Sequence, residues 1–221
     1  SKLKESQTVN TFPTNVRRLT NNKANLCRAI HFSFPESRGF HFHLPCFVLS
    51  EHEKLIRTYL SRSKDTYWLH KPEVGSGGKG ISLLYLTDLT KLIDQKFPTS
   101  SDVYIQQYLH DTLLLPYFSR KRGASISVKF DARVYFAVTS LYPLRVWVHN
   151  KGFVRLATKE FSMENDAKYD LQRHIANLHY QTQFLEYEYP DPLGDACNSS
   201  CRTLKCVVDQ ISIRTGKESQ H

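Results

Sequence analysis

Residues 72–80, Pro72-Glu73-Val74-Gly75-Ser76-Gly77-Gly78-Lys79-Gly80, constrain this chain more than any other stretch. Each glycine inside a helix or strand costs about 0.5–1 kcal/mol relative to alanine, so glycines packed this densely predict a loop. The runs on either side, Tyr67–Lys71 and Ile81–Leu86, read as strands. Successive N–H groups of a glycine-rich loop can turn toward phosphate oxygens, with Lys71 and Lys79 supplying positive charge. The loop is not a Walker A motif: Gly80, not Ser or Thr, follows Lys79, and no helix clearly follows. It also lacks the dinucleotide fingerprint. A surface hairpin would carry the same residues, so the loop alone leaves a bare turn and a phosphate cradle both open.

Around it the pattern predicts an α+β chain. Thr20 is expected to cap a helix running to Ile30. Ser50 is expected to cap a helix over Glu51–Ser61, with Glu53 completing a capping box and Leu55, Ile56 and Tyr59 on the buried face. A short strand and loop are expected over Gly39–Leu49, a helix over Asp88–Asp94, a strand over Val103–Leu109 and a long strand over Ser127–Ser140. Asn150-Lys151-Gly152 reads as the turn of a hairpin between Leu144–His149 and Phe153–Ala157. A helix is expected to begin within Arg173–His179, a loop to span Tyr187–Asn198 and a helix to cover Cys201–Ile213. This order is not the alternating βαβ of a doubly wound sheet.

The 221 residues are 40% hydrophobic and 23% charged, which excludes global disorder. No apolar run is long enough for a bilayer span, and no signal peptide is expected. The chain starts at Ser1, which suggests an internal cut or a processed end. Its net charge of +9 is unevenly placed. Residues 117–159 hold nine Lys or Arg and one acid, whereas 160–195 hold eight acids and two bases. Such a division steers an anionic partner: nucleic acid, nucleotide phosphates or an acidic polypeptide. Five widely spread cysteines make a poor disulfide framework and suit a reducing compartment. Cys197, Cys201 and Cys206 lie close together with no histidine at ligand spacing, and no metal-ligating set is assigned.

In Lys129-Phe130-Asp131-Ala132-Arg133, strand alternation puts Lys129, Asp131 and Arg133 on one face and Phe130, Ala132 and Val134 on the other, toward a core. A solvated sheet surface would look the same. The functional alternative sets two cations and a carboxylate over a nucleotide. No Cys/His or Ser/His pairing stands out for nucleophilic catalysis.

The order of these motifs carries more than each alone. Asn10-Thr11-Phe12-Pro13 and Thr20-Asn21-Asn22-Lys23 are followed by Trp68-Leu69-His70-Lys71-Pro72 and Gly78-Lys79-Gly80-Ile81. Then come Gln106-Gln107-Tyr108-Leu109, Lys129-Phe130-Asp131-Ala132-Arg133-Val134-Tyr135, Pro143-Leu144-Arg145, Gly152-Phe153-Val154-Arg155-Leu156-Ala157-Thr158 and His174-Ile175-Ala176-Asn177. From about Val9 to Asn177 this order resembles the tubulin–tyrosine-ligase-like family. The resemblance implies an α+β, ATP-grasp-like fold in which two lobes hold ATP, here with an N-terminal lobe over 1–65 and an ATP-grasp domain over 66–221. It implies an ATP-dependent protein–amino-acid ligase. ATP phosphorylates a carboxylate, and an amine displaces the phosphate to form an amide.

Carried over residue by residue, the resemblance places Lys71 and Lys23 at the ATP phosphates and Gln106, Gln107 and Leu109 at the adenine. It makes Lys129, Asp131 and Asn177 nucleotide contacts and Arg133 and Arg155 catalytic arginines beside the acyl phosphate. Gln107 replaces a usual Lys or Arg, Ala176 a usual Thr, and Pro116–Val128 is longer than the family pattern. The family's magnesium-binding segment, an aspartate followed by Glu-x-Asn, is not found before His221, so the ATP-grasp domain is expected to be incomplete at its C-terminus. The implied cofactors are ATP and Mg²⁺, whose protein ligands are then missing. The implied partners are a free amino acid, most simply glutamate, and acidic tubulin tails or microtubules, met by Arg120, Lys121, Arg122, Arg145 and Lys151. The expected location is cytoplasm, cytoskeleton or cilium, with no membrane. Two alternatives stand beside this reading. One is a truncated, non-catalytic member that binds nucleotide or microtubules. The other is a basic nucleic-acid-binding module using Phe40, Phe42, Tyr85, Tyr104, Tyr108, Tyr135 and Trp147, which are more simply core residues.

Overall fold

The computed structural model describes residues 22–34, 42–62, 67–72, 77–94, 103–119, 122–190 and 197–215. Helices and antiparallel sheets are mixed, as expected for an α+β chain. Two compact units emerge, Ser1–Gly75 with Gly80–Leu109, and Ser76–Lys79 with His110–His221.

The first unit is built on one antiparallel sheet. Its strands are β1 (Cys46–Val48), β2 (Tyr67–Pro72), β3 (Ser82–Tyr85) and β4 (Val103–Gln107), in the order β1-β4-β2-β3. Three helices flank them: α1 (Lys23–Ser33), α2 (Leu49–Arg62) and α3 (Leu86–Asp94). Alternation along the strands divides the side chains between two faces. Phe47, Trp68, Val103 and Ile105 meet Ile56 of α2 and Leu89 and Ile93 of α3 in one core. Each such fully buried side chain stabilises by roughly 1.5–3 kcal/mol. On the other face Cys46, Val48 and Tyr104 meet Ala24 and Cys27 of α1.

Helix ends depart from the sequence reading. Asn22 caps α1, its side chain accepting from Asn25 N at 3.0 Å, while Thr20 lies outside the described residues. Helix α2 starts at Leu49, so Ser50 lies inside it. Its buried residues are Leu49 and Ile56, whereas Leu55 is 51% exposed. The helix is not regular at His52, whose Nδ1 accepts from Val48 N at 3.1 Å.

The second unit holds a hairpin, β5 (Leu115–Ser119) with β6 (Ala124–Val128), and a three-stranded antiparallel sheet. That sheet runs β7 (Phe130–Leu141), β8 (Leu144–Leu156), β9 (Cys201–Thr203) in that order. Short helices α4 (Leu171–His174) and α5 (Leu178–Gln181) precede β9, and α6 (Leu204–Thr215) follows it. Leu115, Tyr117, Val128, Val154, Leu156 and Val207 form the core.

Three expectations are corrected here. The long strand over Ser127–Ser140 is two strands in different sheets, parting at Lys129. Asn150-Lys151-Gly152 is not a turn: β8 runs through it, and the hairpin closes at Tyr142-Pro143, a cis peptide. Val134 faces Gly152 and Phe136 faces Val148, so β8 carries two extra residues there as a bulge. Gly152 is required by closeness, since a Cβ would stand 2.7 Å from the Arg133 carbonyl oxygen. The helix expected over Cys201–Ile213 begins as strand β9, because Phe153, Val154 and Arg155 of β8 have a free edge for Cys201–Thr203 to pair with.

Four of the five cysteines are paired, against the reading of a poor disulfide framework. Cys27 joins Cys46 and Cys197 joins Cys206, with Cα separations of 6.0 and 5.7 Å. Spacing along the chain does not show which cysteines pair; the fold brings the partners, 19 and 9 residues apart, within bonding reach.

Candidate functional site

In the first unit the antiparallel register sets Lys71 opposite Tyr104 and Leu69 opposite Gln106. These four side chains therefore share the α1 face of the sheet, with Tyr104 packed under α1 itself. Lys71 Nζ donates to Gln106 Oε1 at 2.8 Å. Burial pushes the Lys71 ammonium down to about 8, helped by the charge of Lys23 at the start of α1. A cation half-sunk in a sheet and bonded to a neutral amide is poised to accept an anion. His70 points to the other face, where its Nδ1 lies 3.2 Å from Ser82 Oγ.

Gln106 and Gln107 end β4, both half-buried, and Gln107 N donates to the Pro45 carbonyl at 2.8 Å. Tyr108 is buried and Leu109 is 48% exposed. Of the expected adenine-side residues, Gln106, the Lys71 partner, and Gln107 lie on β4, while Leu109 follows two residues after its end. Lys23 is exposed.

In the second unit Lys129 sits where the chain leaves one sheet for another, its carbonyl accepting from Ala157 N at 2.8 Å. Its Nζ lies 5.5 Å from the centroid of the Phe161 ring. Burial pushes this ammonium down to about 7. His174 is 6% exposed, and burial lowers its pKa as well. The break at Lys129 removes it from the alternation argument: only Asp131 and Arg133 belong to one continuous strand.

Asp131 and Arg155 face each other across β7 and β8. Their side chains form a two-pronged ion pair, with Arg155 Nε and Nη2 donating at 2.6 and 2.7 Å. Arg155 lies on the central strand and is the more enclosed partner, with its side chain 14% exposed. Arg133 is exposed on β7. The side-chain faces expected for the apolar set are also revised. Val134 is 43% exposed and Ala132 is exposed, while Phe130 packs on the core.

Asn177 caps α5, its Oδ1 accepting from Tyr180 N at 3.3 Å. Against α5 lies the end of the glycine loop. Gly77 and Gly78 have φ of +73° and +83°, the left-handed region that favours glycine. A Cβ on Gly77 would fall 2.4 Å from His179 Cδ2, and one on Gly78 would fall 3.2 Å from Tyr180 Cβ. The glycines are therefore demanded twice, by backbone angle and by contact with α5.

Sequence reasoning missed the network that holds this segment. Gln181 is fully buried, and its Oε1 accepts from Thr158 N at 3.2 Å and Thr158 Oγ1 at 2.7 Å. Its Nε2 donates to the Gln172 carbonyl at 2.9 Å and to the Ile175 carbonyl. Gln172 Nε2 donates back to Thr158 Oγ1 at 2.9 Å. Glutamines leave no sequence signal of burial. His179 and Tyr180 carried no sequence signal either; only the fold sets them against Gly77 and Gly78.

Of the basic residues expected to meet an acidic tail, Arg145 and Lys151 are exposed on β8. Arg122 instead pairs with Glu160 at 2.9 Å, and Arg120 and Lys121 lie outside the described residues. Of the aromatics expected in the core, Tyr104 and Tyr108 are buried. Phe42, Tyr135 and Trp147 are 67, 53 and 69% exposed and Tyr85 is 36% exposed, while Phe40 lies outside the described residues.

Each unit by itself carries a half-buried lysine, Lys71 in the first and Lys129 in the second, of the kind that suits a phosphate group. A magnesium site fits less well. Asp131 is committed to Arg155, and no carboxylates converge in threes among the described residues.

The family model described as the tubulin-tyrosine ligase family matches residues 1–215. The probable tubulin polyglutamylase ttll-9 of Caenorhabditis elegans is 29% identical over 178 residues, covering 79% of this chain and 40% of that protein. The mouse (Mus musculus) tubulin polyglutamylase TTLL6 is 30% identical over 178 residues, covering 79% of this chain and 19% of that protein. The mouse tubulin monoglutamylase TTLL4 is 27% identical over 175 residues, covering 79% and 13%. The chain thus spans less than half the length of these relatives. No helix among the described residues is long and apolar enough to cross a membrane. With its family model matched from end to end of the described residues, the chain belongs to the tubulin-tyrosine ligase family.

Proposed function

We propose that this chain is the ATP-handling part of a ligase that joins an amino acid, most simply glutamate, to the acidic tails of tubulin. One observation carries the reading: Lys71 Nζ is half-buried against the neutral Gln106 amide at 2.8 Å and Lys129 is half-buried over the Phe161 ring, so both ammonium groups give up hydration at a cost. A structural lysine avoids that cost by pointing its ammonium into water. A lysine that awaits a polyanion recovers it when phosphate arrives.

In the proposed reaction a carboxylate oxygen attacks the γ-phosphorus of ATP, and the bond to the β-phosphate oxygen breaks. ADP leaves with that bonding pair. The amine then attacks the acyl carbon, loses its proton, and expels phosphate. Lys71, Lys129 and Lys23 neutralise phosphoryl charge. Gln106, Gln107 and Leu109 face the adenine, while Asp131 holds the Arg155 guanidinium in a fixed orientation. Arg133 and Arg155 steady the acyl phosphate, and Asn177 presents the helix that supports the glycine turn. Mg²⁺, where bound, would supply further neutralisation of phosphate charge. The ATP-grasp-like architecture fits this division of labour.

Exposed Arg133, Arg145 and Lys151 support capture of an acidic tail. A tubulin substrate would place the protein on microtubules, in cytoplasm or cilium. Isothermal titration of the chain with ATP tests the nucleotide reading. Saturable binding, weakened in Lys71→Met, is expected, and no heat from the unsubstituted chain at millimolar ATP would reject it. Titration with a glutamate-rich peptide at two ionic strengths tests the tail: affinity indifferent to salt would reject electrostatic capture.

A further inference from the structure

Helical spacing sets Cys27 and His31 on one face of α1, four residues apart. Cys46, the first residue of β1, packs against that face. The two sulfurs and a ring nitrogen of His31 all lie within 4.8 Å of one another. Among the described residues no other three His, Cys, Asp or Glu side chains converge in this way. Both cysteines are fully buried, while His31 is half-buried and gives the cluster its way out to solvent.

The histidine is already arranged as metal-bound histidines are. Its Nε2 lies 2.8 Å from the Cys46 carbonyl oxygen. A carbonyl only accepts, so Nε2 is the donor in that contact. Metal-ligating imidazoles commonly give their second N–H to a backbone carbonyl, which fixes tautomer and ring orientation. His52, with its ring centroid 4.2 Å from that of His31, limits ring rotation from the other side.

We propose that Cys27, His31 and Cys46 form a site for a borderline-soft divalent cation of the zinc type, in competition with the Cys27–Cys46 disulfide. Two equivalents of a low-molecular-weight thiol reduce that bond. They give up two electrons and two protons as they couple to each other, and Cys27 and Cys46 become thiols. The cation displaces those two protons to solvent and takes both thiolates and His31 Nδ1. Solvent supplies the fourth ligand of the tetrahedron. Tetrahedral thiolates at zinc lie about 3.8 Å apart. A Cα separation of 6.0 Å leaves room for that spacing as well as for the covalent bond. This inference does not depend on the nucleotide reading.

The test uses the full chain, reduced with a phosphine, stripped of metal and titrated with Co²⁺. Thiolate-to-cobalt charge transfer and tetrahedral visible bands are expected to saturate at a single equivalent and to vanish when Zn²⁺ is added. They are expected to be lost in Cys27→Ser and kept when Cys197, Cys201 and Cys206 are all replaced by serine. His31→Gln leaves both sulfurs and the disulfide intact, so it covers the case in which Cys27→Ser does not fold. With its circular dichroism unchanged, it is expected to lose the tetrahedral bands. The proposal is overturned if reduced wild-type chain shows no bands, if they persist in His31→Gln, or if the triple serine chain loses them. In unreduced protein the bands are expected to be absent, and their presence there would also overturn it.

Discussion

Lys71 and Lys129 are both half-buried lysines, placed by opposite means. Lys71 lies within a regular strand, where register alone puts it beside Gln106. Lys129 lies where regularity fails, at the step between β6 and β7, and its surroundings come from segments far along the chain. A position inside a ladder is held by many repeated hydrogen bonds. A position at a break is held by whatever packs against it, here Phe161 and the segment carrying His174. The first kind of site should survive single changes nearby, and the second should not.

The largest expected effect strikes the second kind. Replacing Gln181 by alanine leaves Thr158, Gln172 and Ile175 groups buried and unpaired, each costing about 1–3 kcal/mol. A loss of roughly 3 kcal/mol in urea unfolding is expected, with hydrogen exchange accelerating over residues 158–181 before the β1–β4 sheet. Equal acceleration in both regions would erase the contrast.

Next come the lysines themselves. Lys71→Met and Lys129→Met should each weaken ATP binding by about 10- to 100-fold, the worth of a hydrogen bond to a charged group. Below neutral pH each should also stabilise the free protein, since a buried charge has been removed. Thermal melts that fall instead would show that these ammonium groups hold the fold together.

The pH dependence should separate the two. A folded-state pKa below the unfolded value means that the folded protein gives up its proton first. The destabilising charge is then fully present below about 7 for Lys129 and about 8 for Lys71, and stability rises with pH toward the unfolded value. ATP binding runs the other way, because phosphate favours the ammonium form. Affinity should fall as pH rises, first through Lys129 and then about one unit higher through Lys71. Lys129→Arg should abolish the lower step alone; a profile unchanged by that substitution contradicts the assignment.

The smallest effect is expected far from both. Trp147→Ser, on a side chain 69% exposed, should change stability by no more than about 0.5 kcal/mol. A large loss, read by chemical denaturation, would show that the outer part of the β7–β8 hairpin is covered in solution.

Particular residues show how far the sequence could be read. The strands around the glycine loop were legible because Trp68-Leu69-His70 and Leu83-Leu84-Tyr85 have strand composition bounded by glycines. The reading of Asn150-Lys151-Gly152 as a turn failed because a bulge and a turn use the same residue types, and only pairing distinguishes them. Leu55, Ile56 and Tyr59 were assigned to a buried face by period; the core takes Ile56 and Tyr59 but leaves Leu55 exposed. Gln172 and Gln181 carry no signal at all, since a polar side chain is buried only when partners from elsewhere satisfy it.

By itself the sequence determined an α+β chain with a glycine loop after Lys71, and the ordered residues that mark its family. Those features rest on local backbone preference and on residue identity, which neighbours along the chain suffice to express. Tertiary structure alone decided that Asp131 grips Arg155, that Gly77 and Gly78 lie against α5, and that Cys27 meets Cys46 beside His31. Each of those contacts joins positions far apart in the chain, and burial and charge depend on which atoms fill the surrounding space.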